Sequence, residues 1–391
     1  MQQFTPASAE ELADVLGRAA AKAQTIQIIG KHSKRLMGGP VLPAAMCLST
    51  ANLRRVLRYE RDDLTVSVEA GMPFAELQAM LAQNRQMLAL DPPFAGVATV
   101  GGVLATNGSG PMRRGYGTAR DLVIGMTFAT LEGKLVKTGG MVVKNVAGLD
   151  MGKLMIGNFG TLGVITSVNF RVHSLPSETR TFLLTYRDID SVMDMRDTLL
   201  RGVLQPYSLD VLTPPAAVRV GLAGGDMDGY VLAARAGGSA NVLKRYSHEF
   251  SGATELSGRE ENDFWARVQD FSVDFVKRQP NGIVMRVSTT LTEVRSLLKM
   301  ASNACISRAG SGVSYLHVTN WQSTAPIWAI AKERGWSVAV EFAPDEIRAT
   351  KDLWQQTPNG EVDCAFVMME KVKQMFDPRQ LLNRLRLYGR I

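Results

Sequence analysis

Apolar positions recur every three or four residues from Ser8 to Ala23, and Ser8 with Glu11 three residues on makes a capping box, so the chain is expected to open with an amphipathic helix. Ile26 to Ile29 is a short apolar run predicting a strand that ends at Gly30. The turn-rich run Gly30-Lys31-His32-Ser33-Lys34 and then Gly38-Gly39-Pro40 follow. Leu64 to Gly71 alternates apolar with polar and reads as a strand, and Pro73 opens a helix through Leu81. Leu122 to Thr130 and Lys134 to Lys137 predict a strand pair turning at Glu132-Gly133, and Gly163 to Val172 a long strand. From about Ser177 a strand-then-helix rhythm takes over, with strands expected at 181–186, 229–236, 283–288, 313–318 and 337–341. Helices are expected between them, at 189–200, 241–250, 291–301 and 325–333, and further helical segments at Lys351 to Gln356 and Val362 to Phe376. The fold class that follows is α+β in three parts. Residues 1–176 form the first unit, 177–345 an antiparallel sheet with helices on one face in a ferredoxin-like arrangement, and 346–391 a helical tail. No repeat with a period of 20 to 50 residues is legible.

Composition narrows the class. With 391 residues, 46% hydrophobic and 21% charged, the chain has material for two or three real cores, which excludes disordered and small-scaffold readings. The opening MQQFTPASAEELADVL has neither a basic n-region nor an apolar core, so neither secretion nor a membrane span is expected. Cys47, Cys305 and Cys364 are too far apart for a metal knuckle and odd in number, which fits a reducing cytoplasm. A net charge of +7 points to an anionic partner. Nucleic acid is not expected, because there is no block of like charges and no zinc-finger or RNP-type motif.

Glycine changes the picture most. Of 36 glycines, 16 lie in the 68 residues from Gly96 to Gly163. Within that window, Thr99-Val100-Gly101-Gly102-Val103-Leu104-Ala105-Thr106-Asn107-Gly108-Ser109-Gly110 offers bare backbone N–H groups and hydroxyls with no acidic residue, the surface a diphosphate needs. A second such surface, Gly157-Asn158-Phe159-Gly160-Thr161-Leu162-Gly163, leads into the run Val164 to Val168. Neither GxxxxGK[ST] nor a GxGxxG after the first strand is present, so P-loop and Rossmann cofactor binding fall away. Taken singly, any one of these glycine motifs reads equally well as a tight turn.

The order and spacing of IIGKHSK, ATVGGVLATNGSGPMRRGYGTARD, KNVAGLDMGKLMIG and NFGTLGVIT resemble the vanillyl-alcohol-oxidase or PCMH-type FAD-binding family. GPMRRGYGTARD, KNVAGLD, Phe264-Trp265, Met285-Arg286-Val287-Ser288 and the tail FDPRQLLN resemble, within it, the FAD-binding E subunits of bacterial glycolate oxidase. The resemblance implies a PCMH-type FAD-binding domain over 1–176, a substrate or cap domain over 177–345 and a tail that packs back on the FAD domain. It implies FAD as cofactor, with Gly30, Lys31, His32 and Ser33 as the first pyrophosphate loop. Thr99, Gly101, Gly102, Ala105, Asn107 and Gly110 would line the second loop, Asp121 would close that motif, and Gly160, Gly163 and Ile165 would contact the cofactor through backbone. It further implies oxidation of glycolate or another 2-hydroxyacid, with a second flavoprotein and an iron–sulfur subunit as partners and any membrane reached only through them. One departure stands out: the family tail reads FDPxxxLNPGRxY, whereas this chain has Asn383-Arg384-Leu385-Arg386-Leu387-Tyr388, without the Pro and Gly of that turn.

Among single residues, His32 is expected to contact FAD without a covalent bond, since it sits in GKHSK and not GGHS, and an exposed loop histidine is the plainer reading. The other histidines show no metal-ligand spacing, so no metal site is expected, and His317 reads as a core or surface histidine more readily than a flavin neighbour. Arg286 interrupts an apolar strand, where a guanidinium needs a carboxylate or aromatic partner: either a substrate carboxylate or a structural salt bridge. Arg113 and Arg114 follow a Gly-Pro turn and steer an anionic ligand or simply lie solvated. Two other functions stay open, a stand-alone D-2-hydroxyacid dehydrogenase and a non-catalytic FAD-binding scaffold for electron transfer.

Overall fold

The computed structural model describes residues 2–141, 150–222, 229–355 and 363–391; most of the KNVAGLD motif falls outside them. In the N-terminal part, β1 (Gln2–Phe4), β2 (Ile26–Ile29) and β3 (Met46–Ser49) make a parallel sheet in the order β1-β3-β2. The helix Ala9–Ala21 connects β1 to β2, burying Leu12, Val15 and Leu16, and Ser8 Oγ accepts the Glu11 N–H at 3.1 Å as the capping pattern predicts. A second sheet holds β4 (Val56–Glu60), β5 (Thr65–Glu69) and, after the two-residue β6 (Gln86–Met87), β7 (Val123–Ala129), β8 (Leu135–Gly139) and β9 (Val164–Arg171), in the order β4-β5-β9-β7-β8 and antiparallel throughout. β10 (His173–Ser174) returns to pair with β6. Between these two sheets run the glycine loops.

The third sheet has eight strands among the described residues: β11 (Glu178–Tyr186), β12 (Ser208–Leu212), β13 (Tyr230–Gly238), β14 (Thr254–Leu256), β15 (Ile283–Ser288), β16 (Cys305–Arg308), β17 (Val313–Val318) and β18 (Ser337–Phe342). Its order, β14-β11-β13-β12-β16-β17-β15-β18, resolves into two βαββαβ units joined edge to edge by the antiparallel pair β12–β16. Each half is ferredoxin-like, so the sheet carries an internal repeat whose span exceeds the 20 to 50 residues that sequence periodicity tests. The sequence pattern missed β12, β14 and β16, which are short and flanked by apolar residues of other elements.

Leu209, Val211, Leu232, Met285, Val287, Leu316, Val338 and Val340 face the helices Ile189–Arg201, Ala240–Glu249, Val294–Met300 and Ala325–Arg334 in the largest core. The expectation that helices cover one face only is corrected, because Pro214–Arg219, Gly258–Gln269 and Phe271–Arg278 pack on the other. What they leave uncovered is the second half of that face, carrying Arg286, Tyr315 and Glu341 toward the glycine loops.

The tail differs from expectation in one place. Lys351 to Gln355 is not helical: Trp354 bridges Ala339, Val340 N donates to Leu353 O at 2.8 Å, and Val338 N donates to Gln355 Oε1 at 3.0 Å. The free edge of β18 takes up this segment's backbone, which outweighs its local helical pattern. The helix Cys364–Phe376 then ends at a buried pair, Lys373 Nζ to Asp377 Oδ2 at 2.5 Å. Asp377 also accepts the N–H groups of Leu381 and Leu382, at 2.9 and 2.8 Å, and Ile26 N donates to Leu381 O at 2.8 Å, fastening the tail beside β2.

Candidate active site

Two cavities meet where these parts converge. The first, about 130 Å³, is lined by the end of β2, the first loop, the helix Val100–Ala105, the loop before β9 and the tail. Of the residues assigned by resemblance, Gly30, Lys31, His32, Ser33, Thr99, Gly101, Gly102, Ala105, Gly160, Gly163 and Ile165 all line it. Thr99 is the N-cap of its helix and its Oγ1 accepts the Gly102 N–H at 3.2 Å. A Cβ on Gly30 would stand 2.4 Å from that same Oγ1, so the two loops touch only because Gly30 has no side chain. Gly110 and Asp121 line neither cavity. Gly110 packs on Asp91, where a Cβ would meet the carbonyl at 2.1 Å, and Asp121 Oδ2 caps Ala119–Leu122 by accepting the Thr118 N–H at 2.7 Å.

Among the described residues, the lining of this first cavity includes Lys31, Lys34, Arg35, Arg384 and Arg386 and no Asp or Glu. Arg386 is the most telling. Its guanidinium bonds only carbonyl oxygens, those of Gly39, Arg35 and Lys34, and stacks 5.8 Å over the Phe159 ring. Burial, with Arg348 and Arg35 nearby, pulls its pKa down to about 9, the signature of a cation short of negative charge. An FAD diphosphate would supply that charge, and the backbone-rich lining, acid-free among the described residues, fits it.

Asn383, in the tail, is a residue that motif reasoning did not assign to the site. Its Oδ1 accepts the Ile28 N–H at 2.8 Å and its Nδ2 donates to Phe159 O at 2.7 Å, joining β2 to the second glycine loop. The only sequence signal was its place in FDPRQLLN. That loop is further strapped down by Gly157 N to Leu104 O and Phe159 N to Ala105 O, at 2.9 and 2.8 Å.

The second cavity, about 430 Å³, shares Thr106, Asn158 and Phe159 with the first and opens toward β15, β17 and β18. Asn107 and Arg286 line it, together with Arg113, Tyr315, Glu341 and Tyr388. Arg286 Nη2 donates to Tyr388 Oη at 3.2 Å, and its Nε lies 3.7 Å from Glu341 Oε2, too long for a hydrogen bond. Tyr388 and then Glu341 hold the Arg286 pKa above its ordinary value against the cost of burial. Arg113, from the segment after Gly110, is bonded to Ser109 Oγ at 3.3 Å and is in no ion pair among the described residues; burial lowers its pKa. Burial pushes Tyr315 up to about 12, so it stays a neutral donor.

Two ambiguities resolve structurally. Arg114 is not a solvated loop residue: it donates to Pro206 O and to Gln205 Oε1, bolting the first unit to the third sheet. His317 is a core histidine, held between Ser272 Oγ and Ala304 O at 2.9 and 3.1 Å and packed against Phe271 and Phe275. Burial drives its pKa down to about 3, so it stays neutral.

Among the described residues, no helix is long and apolar enough to cross a membrane. Residues 2–139 match the FAD binding domain family. The chain is 31% identical over 268 residues to the glycolate oxidase subunit GlcE of Escherichia coli (strain K12), covering 68% of this chain and 69% of the relative. It is 25% identical to the D-lactate dehydrogenase of Anaerostipes hadrus, covering 89% of this chain and 81% of that one. In structure it is similar to 4-ethylphenol oxidase from Gulosibacter chungangensis, with a TM-score of 0.70 at 14% identity, over 99% of this chain and 89% of that chain. An alkyldihydroxyacetonephosphate synthase matches with a TM-score of 0.69 at 16% identity, over 98% of this chain and 75% of that one. These structural likenesses establish the PCMH-type fold. The family match and the sequence identities show that the chain is an oxidoreductase that uses FAD, and that it belongs to the FAD-linked family of the glycolate oxidase subunits.

Proposed function

We propose that the chain oxidises a small 2-hydroxyacid as the FAD-binding subunit of a glycolate-oxidase-type complex. The observation that carries this reading is the second cavity: two arginines, Arg286 and Arg113, line a space that shares Thr106, Asn158 and Phe159 with the first cavity. The two glycine loops and Arg386 would hold FAD, with His32 in contact but not covalently bonded, and the bound FAD would supply a two-electron acceptor. The chain supplies the rest. Arg286, with free donors on its guanidinium, holds the substrate carboxylate, and Arg113 adds a second positive charge to the cavity lining. Trp354, Val372 and Leu387 in the lining exclude water and so strengthen these interactions. The relatives named as glycolate oxidase subunits support a partnered role, with electrons passing to a second flavoprotein and an iron–sulfur subunit. A second reading, oxidation by this chain alone, is favoured by the D-lactate dehydrogenase relative, which aligns over most of both chains.

The test is the visible spectrum of the purified, FAD-loaded chain, taken without oxygen before and after adding glycolate or D-lactate, with the flavin in an acid supernatant measured in parallel. Bleaching by the chain alone supports the second reading, and bleaching only with partner subunits present supports the first. No bleaching in either case overturns both. Arg286→Ala is expected to keep FAD and to lower kcat/KM about 30- to 5,000-fold, equivalent to about 2–5 kcal/mol of transition-state binding. Loss of FAD or of folding would assign Arg286 a structural role instead.

A further inference from the structure

Glu341 has no place in carboxylate recognition, yet among the described residues it is the acidic side chain in the wall of the second cavity. Its position is built, not incidental. The pairing of β15 with β18 shifts register between Val284 and Met285, whose partners are Phe342 and Val340, so Glu341 is the extra residue of a bulge. Alternation along the strand sets Glu341 on the face opposite Val338 and Val340, which belong to the largest core, and the bulge keeps Phe342 on the Glu341 side, packed with Met37 and Phe159. The first loop fixes the same point: Gly38 N donates to Glu341 O at 3.0 Å and Met37 bridges Phe342. The cofactor loop and Glu341 therefore keep one register.

The side chain is 12% exposed, and Oε2 has no hydrogen-bond partner. A structural counter-ion for Arg286 would close to a charge-assisted bond of about 2.7–2.9 Å. At 3.7 Å the two groups are neighbours that are not closed into a bond, and both line the second cavity. The charged and titratable groups around Glu341 are Arg286 from β15, Arg308 from β16, Tyr315 from β17, Lys34 from the first loop and Arg113 from the segment after Gly110.

We propose that Glu341 is the catalytic base of this site, taking the hydroxyl proton of a 2-hydroxyacid whose carboxylate is held by Arg286. The inference rests on the 2-hydroxyacid reading above. In the step, the substrate O–H bond breaks and its proton passes to the Glu341 carboxylate. The α-carbon C–H bond breaks with its electron pair passing to the bound FAD, which is reduced, and the carbon–oxygen double bond of a 2-oxoacid forms. Burial raises Glu341 above the usual carboxylate range while the surrounding cations oppose that rise.

The test compares FAD-loaded wild type with Glu341→Gln and Glu341→Asp, with partner subunits if the wild type needs them. Bleaching by glycolate or D-lactate is followed in a single turnover across pH, and oxalate, a non-oxidisable mimic, is titrated by the change in flavin absorbance. Glu341→Gln is expected to keep FAD and oxalate binding, to bleach at least 100-fold more slowly, and to lose the fall in rate at low pH. Oxalate binding to wild type is expected to weaken as Glu341 ionises, and to stay flat with pH in Glu341→Gln. Glu341→Asp keeps the charge beside Arg286 but withdraws the carboxylate by one methylene, and a tenfold or greater slowing is expected. Bleaching by either variant at the wild-type rate overturns the assignment of Glu341. So does parallel loss of FAD and oxalate binding in Glu341→Gln with full activity in Glu341→Asp, the mark of a counter-ion. Wild type that neither bleaches nor responds to oxalate overturns the 2-hydroxyacid reading itself.

Discussion

At residue level the tail shows what replacing a glycine costs. Leu385 occupies the position where the family turn carries Gly, and it has φ +60, with Asn383 at +38 and Tyr388 at +55 on either side. An L-residue with a side chain in the left-handed region costs roughly 1–2 kcal/mol. The chain keeps the turn because its product is useful: Asn383 reaches β2 and Phe159, Arg386 enters the cofactor cavity, and Tyr388 meets Arg286. Leu385→Gly is expected to raise stability by about 1 kcal/mol without altering FAD affinity, read from the urea midpoint. A lower midpoint would mean that the Leu385 side chain outweighs the strain through its packing.

Among elements, the helix Cys364–Phe376 matters through its last turn. Lys373 Nζ donates to Thr161 O at 2.8 Å and to Leu382 O at 3.3 Å besides pairing with Asp377, so one buried amine joins helix, second glycine loop and tail. Lys373→Met leaves the Asp377 carboxylate buried without its cation, which costs about 3–5 kcal/mol. The expected outcome is a lower unfolding midpoint together with weaker FAD retention on dilution, because Thr161 and the tail both border the site. Unchanged FAD retention would show that the loop keeps its shape without this anchor.

For the whole molecule, the contact between the first unit and the third sheet carries buried charge. Asp91 lies in the first unit, and its Oδ2 accepts the Met112 N–H at 2.9 Å. It faces Arg308, Asp210 and Arg235 of the sheet, and burial raises its pKa to about 7. The folded state therefore binds a proton that the unfolded chain releases at its ordinary value, and stability is highest below that value and lost as pH rises to about 7. The loss is up to about 4 kcal/mol over that window. Asp91→Asn is expected to flatten this part of the stability–pH curve and to be the more stable protein at pH 8, as a pair of denaturation series would show. A variant curve parallel to wild type would mean that Arg308 and Arg235 keep Asp91 ionised throughout.

The sequence by itself determined the first helix cap, most strands and the position of the glycine loops, because these depend on local pattern: Ser8 with Glu11, the alternation before Gly71, Thr99 ahead of two glycines. It also marked Arg286, since a guanidinium inside an apolar strand needs an explanation wherever the strand lies. Only the tertiary structure decided what that strand faces. Glu341, Tyr315, Arg113 and Tyr388 come from four separate segments and meet through strand order, a bulge and a tail turn, none of which leaves a local signal. The same holds for the segment Lys351 to Gln355, whose helical pattern yields to the open edge of β18, and for Gly110 and Asp121, whose motif places them beside the cofactor while their contacts serve Asp91 and a helix cap. Local pattern fixes which groups each segment offers, and long-range pairing fixes which of them share a cavity.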